Sequence, residues 1–120
     1  MFSLNASQQF YLCATATDMR KGFDSLCGLV SSQMGRDPLS GEVFIFHNKQ
    51  RTVIKLLHWE RGGLVIYHKR LEQGRFSLPR YNVEKQSYSI LWHDLVMMTE
   101  GISMEKVKRY KRFEKISKTA

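Results

Sequence analysis

The sequence predicts a single α+β domain in which an antiparallel β-meander packs against two helices, with a basic C-terminal helix or tail beyond. Three observations carry this. Strand-length apolar runs follow one another between Glu42 and Leu71, separated by short polar breaks. An apolar stripe at helical spacing precedes them, and a second apolar-rich stretch follows. At 120 residues, 42% of them hydrophobic, the chain suits one core, and two domains would each bury too little.

The first apolar run, Gln9 to Thr15, reads as a strand. Asp18 carries a short acceptor side chain suited to a helix N-cap. Met19, Phe23, Leu26, Val30 and Met34 then succeed one another at spacings of four, three, four and four, which makes one helical stripe. Gly35 is expected to end that helix, and Asp37-Pro38 bars its continuation. Three strands follow: Glu42 to His47, Thr52 to Trp59 and Leu64 to Leu71. Their breaks, Asn48-Lys49-Gln50-Arg51 and Glu60-Arg61-Gly62-Gly63, are short and polar, as hairpins require. A fourth strand is expected at Arg75 to Leu78, stopped by Pro79. Tyr81 to Ser87 reads as a loop, with Ser87 or Ser89 capping a second helix that buries a wide face and ends at Gly101. Beyond Ser103 the apolar residues Val107, Tyr110, Phe113 and Ile116 recur every third position among basic ones. The chain thus divides into a domain over residues 1–103 and a basic helix or arm over 104–120.

Nineteen Lys and Arg face eleven Asp and Glu, a formal charge of +8. A domain this basic attracts polyanions, nucleic acid before anionic membrane. No apolar run approaches the length needed to span a bilayer, and no secretory signal is visible at the N-terminus. A cytoplasmic protein without a membrane partner is expected. Cys13 and Cys27 lack CxxC spacing and read as buried free thiols.

Metal-dependent phosphoryl transfer needs carboxylates that converge, whereas Asp18, Asp37, Glu60 and Glu100 fall at caps and turns. No Ser-His-Asp or Cys-His signature is present. His47, His58 and His68 sit on consecutive expected strands, yet no histidine pair has helix or finger ligand spacing. The chain is expected to be no enzyme, with no catalytic residue, no metal site and no cofactor.

The basic residues say more. Arg20 and Lys21 open the first helix; Lys55, Lys69, Arg70 and Arg75 lie on or beside the meander. If the first helix covers one sheet face, the other is expected to present cations beside aromatics, which hold phosphates and stack on bases. The tail adds Lys108, Arg109, Lys111 and Arg112 to the candidate cations.

The segments DMRKGFDSL from Asp18, DPLSGEVFIF from Asp37, IKLLHWE from Ile54, YHKRLEQGRFSLP from Tyr67 and EGIS from Glu100 occur in this order. Together, over roughly Phe10 to Ser103, they resemble the TnpB (Orf2-like) accessory proteins of the IS66 family of bacterial insertion sequences. The resemblance implies a helper that works in transposition beside a separate DDE transposase. It points to element DNA, that transposase, or both as partners, and leaves the oligomeric state open. Carried onto this chain, it adds Trp59 and Phe76 to Arg20, Lys21, Lys55, Lys69, Arg70 and Arg75 as candidate binding residues. The chain departs from the family pattern at Asn48 to Arg51, where an Arg-rich hairpin with a glycine is usual. It departs again at His58 and Glu60, which flank Trp59, and at Arg61, where glycine is usual.

Overall fold

The computed structural model describes residues 4–79 and 87–100. The elements run β1 (Phe10–Cys13), α1 (Phe23–Ser32), β2 (Val43–His47), β3 (Val53–Glu60), β4 (Gly63–Arg70), β5 (Ser87–Ile90) and α2 (Trp92–Thr99). The five strands form one sheet in the order β4-β3-β2-β1-β5. The predicted meander is present as β2, β3 and β4, each antiparallel to the next. Its second hairpin is a two-residue loop with Arg61 at φ 49° and Gly62 at φ 81°, joining paired Glu60 and Gly63. Positive φ at both centres is what a type I′ turn demands, and its twist matches the flanking strands.

The sheet is wider than the meander. β1 lies beside β2 in parallel, Phe10 opposite Val43 and Leu12 opposite Ile45. Parallel neighbours need a crossover connection, and α1 supplies it. β5 pairs antiparallel with β1, Tyr88 opposite Leu12. Ser87 therefore opens a strand and caps no helix; α2 begins after Leu91, without a side-chain cap. The segment from Arg75 to Leu78 is likewise no strand, although Phe76 from it is buried in the core.

Alternation along the strands sends side chains to two separate cores. Cys13, Phe44, Phe46 and Leu57 face α1, where Leu26, Val30 and Met34 meet them. Phe10, Leu12, Val43, Ile45, Ile54, Leu56 and Ile90 face the other way, toward Leu95 and Met98 of α2, with Leu4 and Phe76. Each such fully buried Leu, Val or Phe stabilises by roughly 1.5–3 kcal/mol relative to exposure. The domain is therefore helix, sheet, helix in layers. The expected open sheet face does not exist, because α2 and the Phe76 segment cover it.

Helix α1 starts later than its stripe suggests. Gly22 is its N-cap, without a side-chain hydrogen bond, and Phe23 is 48% exposed. Its end is as expected: Gly35 takes φ 63°, and the Arg36 amide donates to the Val30 carbonyl at 3.1 Å. That bond reaches back six positions, one more than a Schellman bond, and the left-handed residue it encloses favours glycine. The Arg36 guanidinium then clamps Glu42 through two bonds of 3.0 and 2.6 Å and lies 3.8 Å over the Tyr11 ring. This pair ties the α1–β2 connection to β1. Cys13 is buried and Cys27 half-buried; both are free thiols.

Candidate nucleic-acid interface

The topology gathers the candidate cations. β1, β2, β4 and α2 end, and β3, β5 and α1 begin, at one end of the sheet. The loop from Ala14 to Gly22, the β2–β3 turn and the segment after β4 all lie there. This end carries Arg20, Lys21, Lys49, Arg51, Lys69, Arg70 and Arg75.

The loop after β1 is held by the sheet. The Thr17 amide donates to the His47 carbonyl at 2.8 Å. Asp18 makes a local turn: its Oδ1 accepts the Arg20 amide at 2.9 Å, and its carboxylate holds the Arg20 guanidinium at 2.7 Å. The Arg20 side-chain and backbone hydrogen bonds keep this exposed carboxyl far below the usual carboxylate range. Asp18 thus shapes the approach to α1 and does not cap the helix. From below, the Lys55 ammonium donates to the Met19 carbonyl at 2.7 Å and the Lys21 carbonyl at 2.9 Å. Lys55 is buried among the α1-facing residues of β3, and its stem fills space that an apolar chain would otherwise take. It ties the Asp18–Lys21 segment to the strand that carries Ile54 and Leu56.

The β2–β3 turn is built on Asn48, whose Oδ1 accepts the amides of Thr52 at 2.8 Å and Val53 at 3.0 Å. Arg51 takes φ 60°. Its carbonyl accepts the Phe76 amide at 2.6 Å, and the Thr52 carbonyl accepts the Leu71 amide at 2.8 Å. These bonds fold the segment after β4 back beside the turn and set Arg75 next to Arg51. Among the described residues neither has a carboxylate partner, nor has Lys49. Between the loop and β4 lies an open groove of about 510 Å³ lined by Asp18, Met19, Arg20, Val53, His68, Arg70 and Glu72. Arg70 pairs with Glu72 at 3.1 Å, and both are exposed.

Sequence-predicted residues thus separate. Arg20, Lys21, Arg70 and Arg75 share this end and face solvent wholly or in part. Lys69 is also here but on the α2 side, where its ammonium donates to the Thr99 carbonyl at 2.6 Å. Lys55 and Phe76 are buried supports, the latter 1% exposed. Trp59 sits at the far end of β3, opposite Leu64. Lys108, Arg109, Lys111 and Arg112 lie outside the described residues. Sequence reasoning passed over Lys49, Arg51 and His68. The signal was there: in an antiparallel meander, the first turn and the end of the third strand fall at the same edge.

The histidines do not converge. His47 and His58 stand on neighbouring strands at opposite ends of their pairing, His68 on the other face and His93 on α2. Burial pushes the His47 imidazole below its usual range, so it is neutral at pH 7. His58 is buried, with Nε2 3.1 Å from Gln8 Nε2 and 3.6 Å from Glu60 Oε2. Among the described residues no three His, Cys, Asp or Glu are arranged to hold a metal ion, and no helix is long and apolar enough to cross a membrane.

Comparison with known proteins adds three findings. The family model described as IS66 Orf2 like protein matches residues 8–109. A protein of Sinorhizobium fredii named uncharacterized protein y4jC is 28% identical over 92 residues, 77% of this chain and 77% of its own length. A second from the same organism, uncharacterized protein y4hO, is 36% identical over 63 residues, 52% of this chain and 55% of its own. No solved structure matches the chain.

Proposed function

We propose, from the premise that this chain belongs to the IS66 Orf2-like family and so is a transposition-associated accessory protein, that it grips the phosphate backbone of element DNA with the basic end of its sheet. The observation that carries this is the Arg51–Arg75 juxtaposition. The bond from the Phe76 amide to the Arg51 carbonyl holds two guanidinium-bearing residues side by side, with no carboxylate between them among the described residues. Cationic residues on adjacent backbone raise the local positive potential, and an anion lowers it. Lys49, Arg20 and Arg70 lie at the same end of the sheet, where α2 also ends. Arginine suits this task because its planar fork binds phosphate oxygens in pairs. The protein positions DNA without covalent chemistry and acts in the cytoplasm, where the element's DNA is. A small metal-dependent nuclease is the weaker alternative, since Asp18 is taken by Arg20 and Glu60 stands at the opposite end of β3.

One observation favours a protein partner, the element's transposase. In the groove, Arg20 and Arg70 already hold Asp18 and Glu72, and Met19 and Val53 share the lining. Mixed apolar and paired polar lining suits a peptide segment better than a bare phosphate.

Fluorescence anisotropy separates these readings. Wild-type protein, an Arg51→Glu/Arg75→Glu variant and an Arg61→Glu control at the opposite end are titrated with the element's terminal repeat and a scrambled duplex over a salt series. DNA contact predicts a large loss of affinity and a shallower salt slope, by about one per phosphate contact removed, in the double variant alone. Equal loss in the Arg61 control would reduce the attraction to net charge. DNA binding unchanged in the double variant, with transposase capture abolished by Arg20→Ala or Arg70→Ala, would establish the groove reading instead.

A further inference from the structure

We infer that the free edge of β4 is a self-association surface, at which two copies of this chain join antiparallel into one continuous sheet. The sheet has two edges. The β5 edge is a strand of four residues, whereas β4 runs for eight, Gly63–Arg70. Among the described residues nothing pairs with the outer side of β4. A strand edge offers a row of unmet amides and carbonyls, and soluble proteins usually blunt it with proline, a bulge or an inward charge. The first half of β4 has none of these. It reads Leu64, Val65, Ile66, Tyr67, and all four are half-buried, whereas their neighbours Ile54, Leu56 and Leu57 on β3 are almost fully buried.

Charge selects the occupant and its direction. The second half of β4 is His68-Lys69-Arg70. A parallel copy would set Lys69 beside Lys69 and Arg70 beside Arg70. An antiparallel copy about a two-fold axis normal to the sheet separates the basic halves and lays each over the apolar half of its partner. Such an axis keeps the α1 faces of both chains on one side, so residues of like parity oppose one another. Centred on Tyr67, it puts Lys69 against the partner's Val65 and Arg70 against the partner's Leu64. The Lys69–Arg70 end then lies alongside the partner's β3–β4 turn, which carries both Glu60 and Arg61. The interface is isologous and closes as a dimer. On the DNA reading above, the two basic ends would point in opposite directions, fitting the pair to hold two duplexes; the self-association itself does not depend on that reading.

The test is sedimentation equilibrium of the full chain from micromolar to millimolar concentration, beside Val65→Lys. Val65 faces the α2 side without belonging to its core cluster, so the variant keeps the core intact, which circular dichroism checks. Wild type should double in mass, and Val65→Lys should associate about tenfold more weakly. Hydrogen exchange on wild type supplies the second measurement: outward β4 amides should slow as concentration rises, and β5 amides should not. A wild-type monomer throughout, a dimer indifferent to the lysine, open-ended assembly, or β4 protection seen only with the transposase present would each overturn the proposal.

Discussion

Replacing Lys55 with Met tests how the two halves of the basic end are joined. The substitution keeps the buried stem and removes the ammonium, with its bonds of 2.7 and 2.9 Å to the Met19 and Lys21 carbonyls. Hydrogen bonds to a charged group contribute about 1.5–3 kcal/mol each, so the gross loss is about 3–6 kcal/mol. Against this stands the desolvation of an ammonium whose residue is 8% exposed, a cost of several kcal/mol that the methionine no longer bears. Both carbonyls also lie in a loop at the surface, where water replaces part of what they lose. The net destabilisation expected is about 2 kcal/mol, or roughly 8 °C in Tm for a chain of this size. Urea denaturation and calorimetry measure it. Hydrogen exchange should show the loss concentrated in the amides of Ala16 to Gly22, with the β2–β4 amides unchanged relative to global stability. A change below about 0.5 kcal/mol, within the range of ordinary surface substitutions, would refute the anchoring argument. So would a loss spread evenly over the domain, which would make Lys55 a packing residue alone.

Phe76→Ala should cost about 3–5 kcal/mol in urea titrations, because the ring is 1% exposed in the α2-side core; a loss below about 1 kcal/mol would mean that the 71–79 segment does not pack as described. Arg61→Gly should raise stability by about 0.5–1 kcal/mol, since Arg61 takes φ 49° in a type I′ turn where glycine is at ease; a lower Tm would mean that the arginine side chain has a compensating contact. His47 sets a pH dependence. Its folded pKa is depressed by burial, so its contribution to stability is complete above its unfolded value near 6.5 and declines as pH falls through that value toward the folded one. Tm should therefore drop on acidification below about pH 6.5, and His47→Gln should flatten that drop in a series of thermal melts. An unchanged profile would show that the imidazole is solvated.

Much of the layered fold is local information. The β2–β4 meander follows from alternation and short polar breaks, and the chain leaves α1 at Gly35 by a left-handed turn that glycine accommodates. Family membership was likewise legible, because the DMRKGF, IKLL and YHKRLEQGRF segments keep their order. The structure explains part of that pattern: Lys55 of the second segment bonds the carbonyls of Met19 and Lys21 in the first. The candidate site was half legible. Residue type marked Arg20, Lys21, Arg70 and Arg75, which the fold brings together, but type also marked Lys55, and the family resemblance Phe76, both of which the fold buries.

What the sequence by itself determined, then, is composition and short-range order: a single basic α+β unit, its meander, its first helix and its kinship. Tertiary structure decided what depends on contacts between distant segments. β1 meets β2 in parallel and β5 meets β1 across more than seventy residues, pairings that no local period encodes because their cost is loop closure and their return is non-local burial. The same distant contacts put Arg75 beside Arg51 and turn Lys55 from a surface cation into a buried anchor. A charge's role depends on which backbone groups lie within about 3 Å of it, and that distance exists only once the chain has folded.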